Sequence, residues 1–247
     1  MSTDNTVAAA EHRPAGASAG AGQGQADAPP VRPRYRLRAL ISAVERMSYL
    51  LQGNVRQYRA LVARLQDPAV SFPVLDDPVA HGDLLGEAER LLHNVLTAMS
   101  TRVDQQRRFM TSHFGDDPVL MQEYRDRVAS DFTASAEAAF LKGLRNYIAH
   151  RQLPVAQSQE AYTARSVRIS FILPAGPLLE WDGWNSSMRA WIASRGSDVP
   201  IVEVVDAYAR VAGEFDRWLA DRIGVKYRPG IEALRIPRTP VAGQPPV

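Results

Sequence analysis

Three side chains that can act together on a phosphodiester lie close together in the sequence, at Arg145, Asn146 and His150. Imidazole titrates near neutral pH, so His150 can serve as a general base. The planar guanidinium of Arg145 can donate two hydrogen bonds to one phosphate. Cleavage of RNA through its own 2′-hydroxyl needs such a base, and a cation to stabilise the extra charge on the phosphorane. The segment therefore predicts a site for metal-independent cleavage of RNA.

The spacing of these residues restricts how they can meet. On a regular helix Asn146 and His150, at i and i+4, share a face, whereas Arg145 and His150 are separated by about 140° around the axis. Two arrangements can bring the arginine and the histidine together. Either the last turn of the helix is distorted, or two copies of the segment meet across a two-fold axis.

A purely structural interpretation of the same residues stays open. Basic side chains in the last turn of a helix stabilise its negative end and can cap free carbonyl groups. Arg145, His150 and Arg151 can serve that purpose without binding RNA.

A second segment provides an internal control for the motif. Arg107 and Arg108 precede His113 at allowed spacings, so the bare pattern of an arginine followed by a histidine is not specific. Of the arginines that precede a histidine at an allowed spacing, only Arg145 is followed directly by Asn, Asp or His, here Asn146. His113, close to a glycine, fits the end of a helix better than a catalytic site.

The stretch Phe140 to Pro154 resembles the signature of the HEPN superfamily. In that signature an arginine is usually followed by a polar residue, and four to six residues separate the arginine from a histidine. The resemblance implies a helical bundle with the motif late on a long helix. It also implies a homodimer with a composite cleft, in which Arg145 and His150 are catalytic and Asn146 orients or tunes the pair. Lys142 and Arg151 are the expected RNA-binding residues beside them.

The apolar spacing outside the motif predicts the elements that position it. Stripes with a period near 3.5 predict three long helices of about 30 residues, each roughly 45 Å long. Prolines at 68, 73 and 78 separate the first two helices, Gly115 ends the second, and Asp117 and Pro118 start the third. The three stripes cover residues 35–66, 84–110 and 120–147.

The last third of the chain predicts one strand and two more helices. The strand covers 167–173 and is expected to pair with 161–165. A short helix carries Trp184, Met188 and Trp191, and a long helix runs from about Asp198 to Gly224. We expect mainly all-α structure, an antiparallel four-helix-type bundle with a small strand or hairpin insertion. The predicted regions are a disordered tail at 1–30, a HEPN-like helical domain at 31–224 and a flexible tail at 225–247.

Composition excludes several classes of site. The chain has 247 residues, a formal charge of +2 and no cysteine, so disulfides, thiolate metal sites and thiol nucleophiles are excluded. His81, His93 and His113 lack a paired-ligand spacing, and we expect neither metal nor cofactor. No apolar run of membrane-spanning length occurs, and the first 30 residues have neither a basic start nor an apolar stretch, so we expect a cytoplasmic protein without membrane contact.

The basic residues are unusual in type. All but two of the 29 are arginine, the exceptions being Lys142 and Lys226. This bias is typical of a GC-rich genome, or of a phosphate-binding surface. The net charge does not by itself indicate nucleic acid.

Three hypotheses follow from the sequence. The first is a metal-independent endoribonuclease of a bacterial stress, toxin or phage-defence type, with RNA, a second copy of the chain and an antitoxin protein as partners. The second is a catalytically inactive HEPN-like bundle that binds a partner protein or nucleotide. The third is an all-helical interaction protein in which the motif is accidental.

Large apolar surface on Trp181, Trp184 and Trp191 is expected to favour a homodimer.

Overall fold

The computed structural model describes residues 33–151, 154, 156–162 and 167–233. The predicted tail at 1–30 and the residues after 233 lie outside this part of the chain. The described elements, in chain order, are α1 Pro33–Arg64, α2 Pro68–Asp76, α3 Pro78–Phe114, α4 Pro118–Val128, a π-helical turn Ala129–Thr133, α5 Ala136–His150, β1 Gln157–Tyr162, β2 Val167–Pro174, α6 Ala175–Leu179, α7 Ser186–Ala193, β3 Asp198–Val199 and α8 Ile201–Ala233.

The first two predicted long helices are confirmed as α1 and α3, and the prolines have an additional role. The carboxylate of Asp67 accepts from the Ala69 N–H at 2.9 Å, and that of Asp77 accepts from the Val79 N–H at 2.9 Å. Each aspartate is an N-cap with a proline after it, where the missing N–H costs nothing. The prolines therefore start helices as well as end them, and the segment between α1 and α3 forms the short helix α2.

The prediction that the third stripe forms one continuous helix is wrong. Asp117 caps α4 as expected, but α4 ends at Val128, and a π-helical turn precedes a new N-cap at Ser135. The Ser135 hydroxyl accepts from the Ala138 N–H at 3.2 Å, which starts α5. Apolar spacing hides this break, because Tyr124 before it and Phe132 within it both pack against one ring, that of Phe215. The motif thus lies on a separate helix of 15 residues.

The last helix extends beyond its predicted end at Gly224. It begins at Ile201 and continues to Ala233, so residues 225–233 belong to α8 and not to a flexible tail. Two contacts between distant parts of the chain hold this extension. Lys226 forms an ion pair with Asp117, and Tyr227 packs against a buried apolar cluster.

The predicted strand is confirmed as β2, in the middle of a small antiparallel sheet ordered β1-β2-β3. Gln157 of β1 faces Ile172, and Val199 of β3 faces Leu173. The partner strand β1 begins four residues before the predicted segment 161–165. The chain is therefore mainly helical with a three-stranded sheet inserted before its last helix.

The long helices pack in neighbouring pairs. α1 lies against α3 and α8, and α5 lies against α3 and α8 as well. Gln52 of α1 donates to the Ala209 carbonyl of α8 at 2.9 Å, and Arg59 pairs with Asp206 at 2.5 Å, so α1 and α8 are antiparallel. None of the described helices is both long and apolar enough to cross a membrane.

Candidate functional site

Helix α5 presents the Arg145 to His150 motif on its solvent side. Ser135 caps the helix and Glu137 lies in its first turn, where a carboxylate stabilises the positive end of the helix. One face is buried in the main apolar core and carries Phe140, Leu141, Leu144 and Tyr147. The opposite face is open, with exposed Ala139, Lys142, Arg145, Ala149 and His150 and half-buried Asn146.

The three motif side chains do not converge within one chain. Arg145 Nη1 lies 3.5 Å from Asn146 Oδ1, a long hydrogen bond. α5 remains an α-helix as far as His150, so the distorted last turn considered from the sequence is not observed. A regular helix places Arg145 and His150 about 7.5 Å apart along the axis and about 140° apart around it. These two residues therefore lie at opposite edges of the open face.

The edge that carries His150 is the one next to the α6–α7 segment. Tyr147, one turn before His150, makes an edge-to-face contact with Trp181 at a centroid distance of 5.5 Å. Arg151 Nη2 lies 3.4 Å from Glu180 Oε2, which brings the same segment to the end of α5. Both members of this ion pair are exposed, so its energy is small.

The positive charges of the open face are not neutralised within the described part of the chain. No ion pair there involves Lys142, Arg145 or His150. The side chains of Arg145, His150 and Arg151 also make no hydrogen bond with the described backbone carbonyls of α5, so the capping role is not observed. Among the described residues, no carboxylate pairs with Lys142 or Arg145, whereas Arg151 forms an ion pair with Glu180.

The tryptophans do not supply the free apolar surface expected from the sequence. Trp184 is buried, stacks on Phe140 at 5.6 Å and donates from Nε1 to the Leu178 carbonyl at 2.7 Å. Trp181 and Trp191 are half-buried against the same core. The composition argument for a homodimer is therefore weaker, because α5 covers part of this surface, and the homodimer itself stays a prediction.

No protein-family model matches this chain, and neither does any curated protein or solved structure. The HEPN resemblance thus depends on the stretch from Phe140 to Pro154 and on the helical pattern around it.

Gly143 lies where α5 and Trp184 approach most closely. A Cβ atom at this position would overlap the Trp184 ring. We expect Gly143→Ala to lower the free energy of unfolding by about 1–3 kcal/mol, because the ring is held by Phe140 and cannot move aside cheaply. Urea unfolding followed by tryptophan fluorescence measures this effect. Ala139→Ser on the open face of the same helix is the control and should change stability by less than about 0.5 kcal/mol.

The second segment with an arginine and histidine pattern lies at the end of α3, where its histidine contacts aromatic rings of the same helix. His113 is exposed near the end of α3, with its ring 5.0 Å from that of Phe109 and 6.4 Å from that of Phe114. Arg107 and Arg108 are exposed on the same helix. These contacts agree with His113 as a residue of the helix end and make it a suitable control.

A buried ion pair between α3 and α8 is the main feature that sequence reasoning missed. Arg102 donates from Nε to both carboxylate oxygens of Asp216, at 3.1 and 3.2 Å, and Gln106 Nε2 donates to the same carboxylate at 3.2 Å. The signal was present, since Gln106 stands at a position where the apolar stripe of α3 requires a core residue.

The remaining histidines do not form a metal centre in the part of the chain that the structure describes. His81 Nε2 lies 2.9 Å from Ser158 Oγ, which joins the start of α3 to β1, and His93 is exposed on α3. No three His, Asp or Glu side chains of the described residues lie close enough together to hold an ion.

Proposed function

We propose that this protein is a HEPN-like, metal-independent endoribonuclease of a bacterial stress, toxin or phage-defence type. The observation that carries the proposal is one open face of α5 with exposed Arg145 and His150, which form no ion pair among the described residues, and with Lys142 and Asn146 between them. The mutual packing of α1, α3, α5 and α8 supports an antiparallel four-helix-type bundle. We expect it to act in the cytoplasm, with an antitoxin protein as the regulatory partner of a toxin.

The proposed reaction uses the 2′-hydroxyl of the RNA as nucleophile. His150 takes the proton while the 2′-oxygen bonds to phosphorus, and the bond from phosphorus to the 5′-oxygen of the next nucleotide breaks. The departing 5′-oxygen takes a proton and becomes a hydroxyl, leaving a 2′,3′-cyclic phosphate. Arg145 binds the non-bridging oxygens, where charge accumulates in the transition state.

The geometry of α5 supports a site shared between two copies. Because Arg145 and His150 point to opposite edges of the face, one copy cannot easily place both on the same phosphate. A two-fold axis at α5 would bring Arg145 of one protomer towards His150 of the other. The small side chains of Ala139 and Ala149 leave room for a second helix at this face.

The alternative function is binding without catalysis. The divergence of Arg145 and His150 within one chain favours it if the protein is a monomer, since each residue would then bind an anion alone. A HEPN-like domain that binds a partner protein or a nucleotide would retain the open basic face but cleave nothing.

Incubation of the purified protein with RNA in excess EDTA distinguishes these functions. We expect cleavage to persist and the products to carry a 2′,3′-cyclic phosphate, or the 3′-phosphate formed by its hydrolysis, with a 5′-hydroxyl on the other fragment. RNA that survives intact under conditions where it binds would favour the alternative.

A mixture of two inactive variants tests the shared site. Arg145→Ala and His150→Ala subunits, mixed under conditions that allow exchange, form dimers with one intact and one doubly defective site. We expect activity to return to about one quarter of the wild-type value, since half of the dimers are mixed and each has one working site. Exchange demonstrated with labelled subunits, without any recovery, would contradict the cross-protomer arrangement.

A further inference from the structure

A cavity among the described residues lies away from the α5 motif, along the outer seam of α1 and α8. It is an open groove with a volume of about 820 Å³. On α1 it extends from Val44 to Arg59, about 22 Å at 1.5 Å per residue, and on α8 from Asp206 to Asp221. No motif residue lines it.

The middle of the groove is built from short side chains. Ser48, Ala209 and Gly213 line it there, and Gln52 crosses the seam to the Ala209 carbonyl. A Cβ atom at Gly213 would meet only the ends of two flexible side chains, Nε2 of Gln52 at 3.3 Å and Nη1 of Arg217 at 3.9 Å. Another helix can therefore approach the centre of this surface closely.

The two ends of the groove have opposite charge. The antiparallel pairing of Arg59 with Asp206 places Arg56, Arg59 and Arg210 together at one end. Asp206 and Glu214 neutralise two of these three charges, which leaves a net charge of +1.

The other end contains Glu45 and Asp221 with one cation, Arg217. Its net charge is −1, since the remaining carboxylate, that of Asp216, is bound to the buried Arg102. The groove thus carries a net positive charge at one end and a net negative charge at the other, with small residues between them.

We infer that the occupant of this groove is a second copy of the chain, docked face to face. A two-fold axis in the plane of the face and perpendicular to the helices places the Arg56 end of one copy on the Glu45 end of the other, twice. An axis parallel to the helices would place like charges together. Charge complementarity therefore selects antiparallel pairing of α1 with its copy and of α8 with its copy, with Gly213 near the axis.

The surface is small for a stable dimer. Specific interfaces usually bury about 800 Å² on each partner, and a face about 22 Å long, two helices wide, provides roughly half of that. We expect association in the micromolar range that weakens with salt, because the end charges are exposed.

The absence of cysteine from the chain permits a direct test. A single Gly213→Cys substitution places one thiol beside the axis, and mild oxidation should link two copies at least about tenfold faster than it links Ser112→Cys, an exposed control on α3. Equal rates would overturn the inference. If Gly213→Cys fails to fold, Ser48→Cys with a bis-maleimide reagent tests the same axis against the same control.

Charge reversal gives a second, independent readout. In the Gly213→Cys protein, adding either Glu45→Arg or Arg56→Glu alone should slow cross-linking by about tenfold, because like charges then meet at both ends of the interface. The double variant restores opposite ends and should recover the original rate; a double variant as slow as the single ones would contradict the pairing. Ala149→Cys on α5 reports separately on the proposed catalytic dimer, so failure of one interface is distinguishable from failure of the other.

Discussion

Replacement of His150 or Arg145 by alanine is expected to reduce EDTA-resistant cleavage of RNA by about 10²- to 10⁴-fold. A general base and a charge-stabilising cation are each typically worth this much in rate. Both side chains are exposed, and neither belongs to an ion pair among the described residues. The free energy of unfolding should therefore change by less than about 0.5 kcal/mol. Initial cleavage rates and urea unfolding curves measure the two effects.

The controls for this experiment come from the same chain. His113→Ala removes an exposed histidine near another helix end and should leave cleavage at the wild-type rate. Arg145→Lys keeps the charge but loses the bidentate fork, so part of the activity should remain. A His150→Ala variant that cleaves as fast as the wild-type protein would exclude α5 as the catalytic site.

The helix ends that depend on adjacent residues could be predicted from the sequence. Asp67, Asp77 and Asp117 each bind an N–H of the next turn and precede a proline, a combination that is legible in the sequence. The solvent-facing position of Arg145 was also predictable, since the apolar stripe through Leu144 and Tyr147 fixes which side of α5 is buried.

Features that depend on distant contacts were not predictable in this way. α8 continues past Gly224 because Lys226 reaches Asp117, 109 residues away in the sequence. The break before α5 is hidden because the π-helical turn keeps Phe132 on the buried side. Trp184 is covered because Gly143 leaves room for its ring, a pairing that no spacing in the sequence reveals.

The buried arginine of α3 is expected to make Asp216 the most sensitive acidic residue of the fold. Arg102 and Asp216 are 1% and 4% exposed, and the guanidinium lies 5.5 Å from the ring of Phe132 and 5.7 Å from that of Phe215. Burial alone lowers the pKa of Arg102, but the hydrogen bonds and charge of Asp216 outweigh it and the pKa is raised. The arginine thus stays charged and depends on its partner.

Asp216→Ala should lower the free energy of unfolding by about 3–5 kcal/mol, because it leaves a buried cation without a counter-ion. Asp206→Ala is the matched control: it removes a carboxylate from the same helix, but its ion pair with Arg59 is 42–45% exposed and should contribute no more than about 1 kcal/mol. The double variant Arg102→Met with Asp216→Leu removes both charges and should regain most of the loss, since apolar side chains of similar length can fill the site. Urea unfolding monitored by circular dichroism compares the three proteins with the wild type. Equal losses of unfolding free energy for Asp216→Ala and Asp206→Ala would contradict the expectation that burial makes the Arg102 ion pair costly to break.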